Sequence, residues 1–169
     1  GRPWLRLKTA ASLDGKTALQ NGASQWLTGA AARQDGHRWR ARACAILSGI
    51  GTVRHDDPQL NVRAVEAPGA ELHQPLKVIV DSRLELPLDA RLLRDGAVLI
   101  AATADDCGRS AALVQRGAEV ILLPGPGGKV DLVALLDELA RRGINEVHVE
   151  AGFALSGSLL RAGVVDELL

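Results

Sequence analysis

Apolar and polar positions along this chain alternate in short runs and then switch to a helical period, a rhythm that predicts strands separated by helices. From Trp4 to Ala11 the pattern reads as a strand, with Leu5, Leu7 and Thr9 on one face and Trp4, Arg6, Lys8 and Ala10 on the other. Ser12-Leu13-Asp14-Gly15-Lys16 then predicts a turn in which Gly15 is free to take a positive φ. Thr28 is placed to cap a helix from about Ala30 to Ala43, weakened in its middle by Gly36. Ala43 to Leu47 reads as a short buried strand that runs into Ser48-Gly49-Ile50-Gly51-Thr52, a glycine-rich strand-to-helix transition.

The second half repeats the theme. Leu76 to Val80, Ala97 to Ala101, Ala118 to Leu123 and Glu146 to Glu150 predict strands, and another begins at Val164. Asp105 or Asp106 caps a helix reaching about Arg116. Asp131 to Arg142 is amphipathic, with Leu132, Leu135, Leu136 and Leu139 in one stripe and Gly143 as its stop. Gly152 to Ala162 predicts the last helix. Strands alternating with helices imply an α/β fold with a largely parallel sheet. With no internal repeat and no linker, residues 1–169 are expected to form one domain.

Composition narrows the class. Hydrophobic residues make up 47% and charged residues 24% of the 169 positions, which excludes a disordered chain. Aromatics are only 2%, so the core must be built from Ala, Val, Leu and Ile. The 20 basic and 20 acidic residues cancel, and with so few rings for base stacking no nucleic-acid partner is expected. Cys44 and Cys107 form no Cys-x-x-Cys pair, and the four histidines show no ligand spacing, so no metal is expected. No apolar run approaches the roughly 20 residues that cross a bilayer. The start lacks a signal-peptide pattern, so the expectation is a soluble, cytoplasmic protein without a membrane partner.

Three segments carry candidate chemistry. In Glu146-Val147-His148-Val149-Glu150-Ala151-Gly152-Phe153-Ala154-Leu155-Ser156-Gly157-Ser158 a strand ends in a carboxylate and a small-residue turn opens a helix. Helix starts beyond strand tips can hold a phosphate or pyrophosphate; tight strand-helix packing is the alternative. Ser48-Gly49-Ile50-Gly51-Thr52 offers a second cradle, too short for the dinucleotide fingerprint. Gly127-Gly128-Lys129 is not a P-loop, because Leu123 and Val130 occupy the other required positions. Arg33, Arg38, Arg40 and Arg42 crowd one helix, with Arg54 and Arg63 downstream. Their planar forks suit phosphate, or they line a solvated face. Asp56-Asp57-Pro58 is either part of a ligand site or, equally, a turn and helix stop.

Several segments together resemble one family. They are Leu7-Lys8-Thr9-Ala10-Ala11-Ser12-Leu13-Asp14-Gly15-Lys16, Ser24-Gln25-Trp26-Leu27-Thr28, and the run from Gly51 to Arg63 that contains Asp56-Asp57-Pro58-Gln59-Leu60-Asn61-Val62-Arg63. Val78-Ile79-Val80-Asp81-Ser82-Arg83, Val149-Glu150-Ala151-Gly152 and Gly163-Val164-Val165-Asp166-Glu167-Leu168 complete the set. From Arg2 to its last residue the chain is similar to the reductase domain of the bacterial bifunctional riboflavin-biosynthesis deaminase-reductase.

The resemblance implies a dihydrofolate-reductase-like α/β fold, a mixed but mostly parallel sheet flanked by helices. It implies NADPH-dependent reduction of the ribose of 5-amino-6-(5-phosphoribosylamino)uracil to a ribityl chain. It assigns Ala10, Trp26, Thr52, Asp56, Ser82 and Gly152, Phe153, Ala154, Leu155, Ser156, Gly157 and Ser158 to the cofactor site. Ser24, Arg40, Leu60, Arg63 and Glu150 are assigned to the substrate. Lys8 and Glu150, at the ends of two strands, are the candidates for proton handling or substrate orientation. For Lys8 the alternative is a solvated strand face shared with Arg6. Arg54 and Arg83 are candidates for the cofactor's 2′-phosphate.

Family members resemble homodimers, and the bacterial fusions carry a zinc deaminase ahead of this domain. Its combined His-x-Glu and Pro-Cys-x-x-Cys ligand set does not occur in this sequence, so deamination by these residues is not expected. The family's domain also continues past the Asp166-Glu167-Leu168 motif, which implies C-terminal strands missing from this sequence. Two other functions fit the same residues. One is a domain that binds NADPH or a pyrimidine phosphate without turnover. The other is a reductase of the un-deaminated diaminopyrimidine.

Overall fold

The computed structural model describes residues 1–20, 27–63, 73–105 and 107–169. The described strands are β1 (Trp4–Leu7), β2 (Ala45–Gly49), β3 (Leu76–Val80), β4 (Val98–Ala102), β5 (Ala118–Leu122), β6 (Glu146–Val149) and β7 (Glu167–Leu168). They form one sheet in the order β5-β4-β3-β2-β6-β1-β7. Every described pairing between these strands is parallel, and the single antiparallel contact is an isolated bridge from Pro124 to Val130. The helices are α1 (Ala30–Arg42), α2 (Ile50–Asp56), α3 (Cys107–Gln115), α4 (Leu132–Arg141) and α5 (Phe153–Arg161).

The alternation of side chains along each strand sorts the core into two layers. Leu5, Leu7, Ala45, Leu47, Val147 and Val149 meet Leu135, Leu136 and Leu139 of α4 and Leu159 of α5. On the other face Ile46, Ile79 and Ile100 meet Val53 of α2, Leu113 of α3 and the leucines Leu84, Leu86 and Leu92. Each such side chain, fully buried, contributes about 1.5–3 kcal/mol. The expected cap and stop of α4 are both present. Asp131 accepts from the Val133 and Ala134 amides, and Gly143 takes φ 78°.

Three local expectations shift. Gly29, not Thr28, occupies the N-cap of α1, and no side chain caps it; the Thr28 carbonyl instead accepts from Arg33 Nη1 at 2.6 Å. Thr28 stands one residue too early for its hydroxyl to reach the first free amides. β1 stops at Leu7 rather than Ala11, since its neighbour β6 ends at Val149. β2 begins at Ala45 and carries Ser48 and Gly49 inside the strand.

α1 docks unusually, with no buried residue of its own. Arg6, whose strand face had a solvated reading as one alternative, is 3% exposed beneath it. Its guanidinium lies 4.4 Å from the Trp39 ring centroid, and its Nε donates to Glu167 Oε2 at 2.9 Å. Arg42 approaches the same ring at 5.3 Å. Charge and ring contacts hold this helix where apolar burial holds the others.

Candidate active site

A parallel sheet presents all its strand carboxyl ends on one edge, and ligands bind beyond that edge where the strand order reverses. The reversal falls at β2-β6-β1, because the chain builds outward from β2 to β5 before returning to β6. Glu150 directly follows β6. Its amide donates to Leu47 O (3.0 Å) and its carbonyl accepts from the Ser48 hydroxyl (2.7 Å), which stitches the β2 and β6 tips together. Lys8 follows β1, and its amide donates to Val149 O (3.1 Å). Lys8 and Glu150 therefore leave adjacent strands at the same level.

The side chains of Glu150 and Arg40 are exposed by only 15% and 14%. They form two parallel bonds, Nε to Oε1 at 2.5 Å and Nη2 to Oε2 at 2.8 Å, the strong bidentate arrangement. Burial alone pushes the Glu150 carboxyl pKa up. The Arg40 hydrogen bonds, then His148 and the charges of Arg40 and Lys8, outweigh it and hold the carboxyl well below the usual range. Glu150 is a carboxylate at any physiological pH.

Arg40 is itself held in place. Its Nη1 donates to Asn61 O (3.1 Å), and Asn61 Nδ2 donates to Asp95 Oδ2 (3.0 Å). Asp95 is anchored by Lys77 of β3, 1% exposed, whose Nζ donates to Asp95 Oδ1 (2.5 Å), Asp95 O (2.5 Å) and Leu92 O (2.8 Å). The Lys77 hydrogen bond also lowers the Asp95 carboxyl pKa. A continuous relay thus runs from the sheet interior to the Glu150 carboxylate.

Arg63 donates to Asn61 Oδ1 (2.8 Å), and burial, then the charges of Arg40 and Arg91, pull its pKa down. His37 joins the cluster. Burial, then Arg40 and Arg63, depress its imidazole against the opposing pull of Glu150 and the Asn61 backbone. Its Nδ1 is buried with no hydrogen-bond partner among the described residues. Arg40, Arg63 and Arg91 outnumber the Glu150 and Asp95 carboxylates here, Asp95 being already neutralised by Lys77, and the surplus suits a phosphomonoester.

The two glycine-rich segments, far apart in sequence, close on each other. The Gly152 amide donates to Thr52 Oγ1 (3.1 Å), and a Cβ at Gly49 would lie 3.3 Å from Leu155 Cδ2. Gly152 is the N-cap of α5 and no side chain caps it. The hydroxyls of Ser156 and Ser158 bond back to Ala151 O and Ala154 O. What this helix start offers a ligand is backbone amide, the donor set that holds a pyrophosphate. These residues fit a dinucleotide cofactor.

Thr52 and Asp56 share a face of α2, and Asp56 Oδ1 meets His55 Nδ1 at 2.8 Å. Asp57 ends the helix in the left-handed region, as the Asp56-Asp57-Pro58 motif predicts. Ser82 follows β3, and its carbonyl accepts from the Thr103 amide and hydroxyl. Arg54 and Arg83 converge on Glu85, each at 2.9 Å. Ala10 is half-buried past the end of β1, and Phe153 is 87% exposed. The Leu60 side chain, at 2% exposure, belongs to the core, which leaves only its backbone for a ligand. Ser24 and Trp26 lie outside the described residues. His37, Asn61, Lys77 and His148 carried no expectation. A lysine inside the apolar run Leu76-Lys77-Val78-Ile79-Val80 was the available signal for one of them.

A family model described as "RibD C-terminal domain" matches residues 3–169. The chain belongs to the RibD C-terminal domain family. It is similar to the riboflavin biosynthesis protein RibD of Escherichia coli K12, 39% identical over 178 residues, covering 100% of this chain and 47% of that protein. The RibD protein of Bacillus amyloliquefaciens is also 39% identical, over 99% of this chain and 44% of its own length. Among solved structures, RibD of Acinetobacter baumannii superposes with a TM-score of 0.84 at 38% identity, covering 99% of this chain and 45% of that one. A Thermotoga maritima diaminohydroxyphosphoribosylaminopyrimidine deaminase/5-amino-6-(5-phosphoribosylamino)uracil reductase gives 0.78 at 28% identity, covering 99% and 43%. The chain thus spans just under half the length of the RibD relatives it matches.

A separate cavity of about 460 Å³, lined by Leu88, Ala90, Leu93, Arg94 and Arg116 among others, lies where the chain enters β4 and β5, at the opposite edge of the sheet. It contains none of the expected residues. Among the described residues no cluster of His, Cys, Asp and Glu is placed to hold a metal ion. No described helix is long and apolar enough to cross a membrane.

Proposed function

We propose that this chain is a reductase domain, spanning residues 1–169, that uses NADPH to reduce the ribose of 5-amino-6-(5-phosphoribosylamino)uracil to a ribityl chain. The observation that supports this most is the Arg40–Glu150 clamp standing between an arginine cluster and a glycine-lined helix start. In this reading the working unit is a cytoplasmic homodimer coupled to a zinc deaminase domain. That the Thermotoga relative is a deaminase/reductase, and that the RibD proteins are about twice this chain's length, support that coupling.

The cofactor's pyrophosphate would be held by the free first-turn amides of Phe153, Ala154 and Leu155, with the rest of Gly152 to Ser158 lining the site and Thr52, Asp56, Ser82, Ala10 and Trp26 along the rest of the molecule. When bound, the dihydronicotinamide supplies the hydride. Arg63, with Arg40 and His37, takes the substrate phosphate; Ser24 and the backbone at Leu60 complete that side. Glu150, ionised, accepts from the sugar hydroxyls and orients the reacting carbon. A carboxylate so firmly deprotonated donates no proton, so delivery to the departing ring oxygen falls to the Lys8 ammonium.

The test is direct. Loss of nicotinamide absorbance is expected when NADPH and the ribosylaminopyrimidine phosphate are added together, and faster with the uracil than with the diaminopyrimidine. Tight NADPH binding without oxidation on either substrate would leave a binding domain and refute the proposal. Arg63→Ala is expected to raise the substrate KM about tenfold or more, the worth of a charge-assisted contact, with the NADPH Kd unchanged. A fall in cofactor affinity alone would reassign that arginine. Arg54 and Arg83, converging beside Ser82, are the pair proposed for the 2′-phosphate. The double alanine variant is expected to lower kcat/KM for NADPH roughly tenfold while leaving that for NADH unchanged.

A further inference from the structure

His148 is fully buried and has no part in the mechanism above. It stands on β6 two residues before Glu150, so both side chains leave the same strand face. Its register neighbours are Arg6 on β1 and Ile46 on β2. His148 Nε2 lies 3.3 Å from Glu150 Oε1, close but not aligned as a hydrogen bond. Neither ring nitrogen has a hydrogen-bond partner among the described residues. An imidazole left unsatisfied inside a sheet is costly, and an apolar residue would fill the same space without that cost. The geometry therefore calls for a polar task, and the carboxylate above it is the group within reach.

We propose that His148 is a positioning residue whose Nε2–H, with the Arg40 fork, fixes the orientation of the Glu150 carboxylate. In the tautomer with hydrogen on Nε2, a small ring rotation aligns that hydrogen on Oε1. Arg40 grips the carboxylate from α1, and His148 supports it from within the sheet. Without that support the Arg40–Glu150 pair can swing as a unit, and small misplacements of an orienting group lower turnover steeply. The ionisable groups on the surrounding elements are Arg6 on β1 with Lys8 just past its end, Arg33, Asp35, His37, Arg38, Arg40 and Arg42 on α1, and Glu146 on β6 with Glu150 just past its end. β2 contributes Ile46 and Ser48, neither of them ionisable. The catalytic consequence rests on the reductase reading; the contact does not.

The experiment compares His148→Leu with His148→Gln, whose amide N–H can replace Nε2–H. A titration of the Glu150 carboxyl by carbon-detected NMR, without ligands, is expected to move up by roughly half a unit or more in His148→Leu and to return in His148→Gln. In the reductase assay kcat is expected to fall about tenfold in His148→Leu at unchanged NADPH Kd, with rescue by His148→Gln. An unmoved Glu150 titration in folded His148→Leu overturns the proposal, and so does an equal loss of kcat in both variants. Should His148→Leu not fold, His148→Asn, whose amide falls short of Oε1, takes its place. The titration needs no turnover, so an inactive wild-type chain would refute the reductase reading and leave this one to be decided by NMR.

Discussion

Glu150→Gln is expected to cut kcat by about a hundredfold, within the range for removing a positioned acid-base or orienting group, and to leave NADPH affinity unchanged. Glutamine keeps the shape but offers Arg40 a neutral oxygen, and its own amide hydrogens would face the guanidinium. Removing one partner of a buried pair costs about 3–5 kcal/mol. The slight exposure of both groups and the Asn61 contact place this case near the lower end. Steady-state kinetics at saturating substrate check the first effect and a thermal melt the second. The pH behaviour follows from the depressed Glu150 pKa. The stabilisation is present in full above the ordinary value of 4.5 and is lost only as pH falls through the lower folded value. Between pH 5 and 8 Glu150 adds no inflection to kcat/KM. An inflection in that window that disappears in Glu150→Gln would contradict the assignment.

Lys77→Ala is expected to be the most destabilising single change in the relay behind the site. It removes three hydrogen bonds and empties the volume of a fully buried stem. The combined loss is about 3 kcal/mol, or a fall in Tm of roughly 6–12 °C for a domain of this size. The effect reaches the site because Asp95, once released, no longer fixes Asn61, and Asn61 O is what seats Arg40. Lys77→Met separates the two consequences. It keeps the packing, so it should recover much of the Tm, yet it should share the raised substrate KM of Lys77→Ala. A normal KM in both variants would show that Arg40 seats itself without the relay.

The sequence pattern identified nearly every element, because the two structural periods are clean in this chain. β3 runs from Leu76 to Val80 as the apolar run predicts, and α4 follows its leucine stripe between Asp131 and Gly143. Boundaries slipped where a tertiary partner decides them. Ser48 and Gly49 sit inside β2 because their backbone pairs with Ile79 and Val80 of β3, and the Ser48 hydroxyl then donates to the Glu150 carbonyl, 102 positions away. Glu150 and the Gly152 helix start were legible as candidates from the strand-to-helix turn, and Lys8 became one through the family resemblance. The polar network behind them was not. Nothing local in Lys77, Asp95 or Asn61 reveals that the three meet. Arg6 had only a solvated face as its reading, and Arg40 either that or a phosphate contact, until the sheet order sets β1 and β6 beneath α1. Periodicity reports burial along one element, whereas a relay depends on which elements become neighbours.

The position of β6 between β1 and β2 also governs how the molecule comes into being. Both flanking strands emerge from the ribosome long before Val149, so the nascent chain must hold a slot one strand wide until its late tenant arrives. Closing loops of that length is slow, and the waiting edges invite mispairing. The half of the sheet from β2 to β5 needs only neighbours made in succession and can assemble first. Biosynthesis therefore delivers the strand that carries Glu150 to its tip last, and a chain caught before that moment lacks the Arg40–Glu150 clamp.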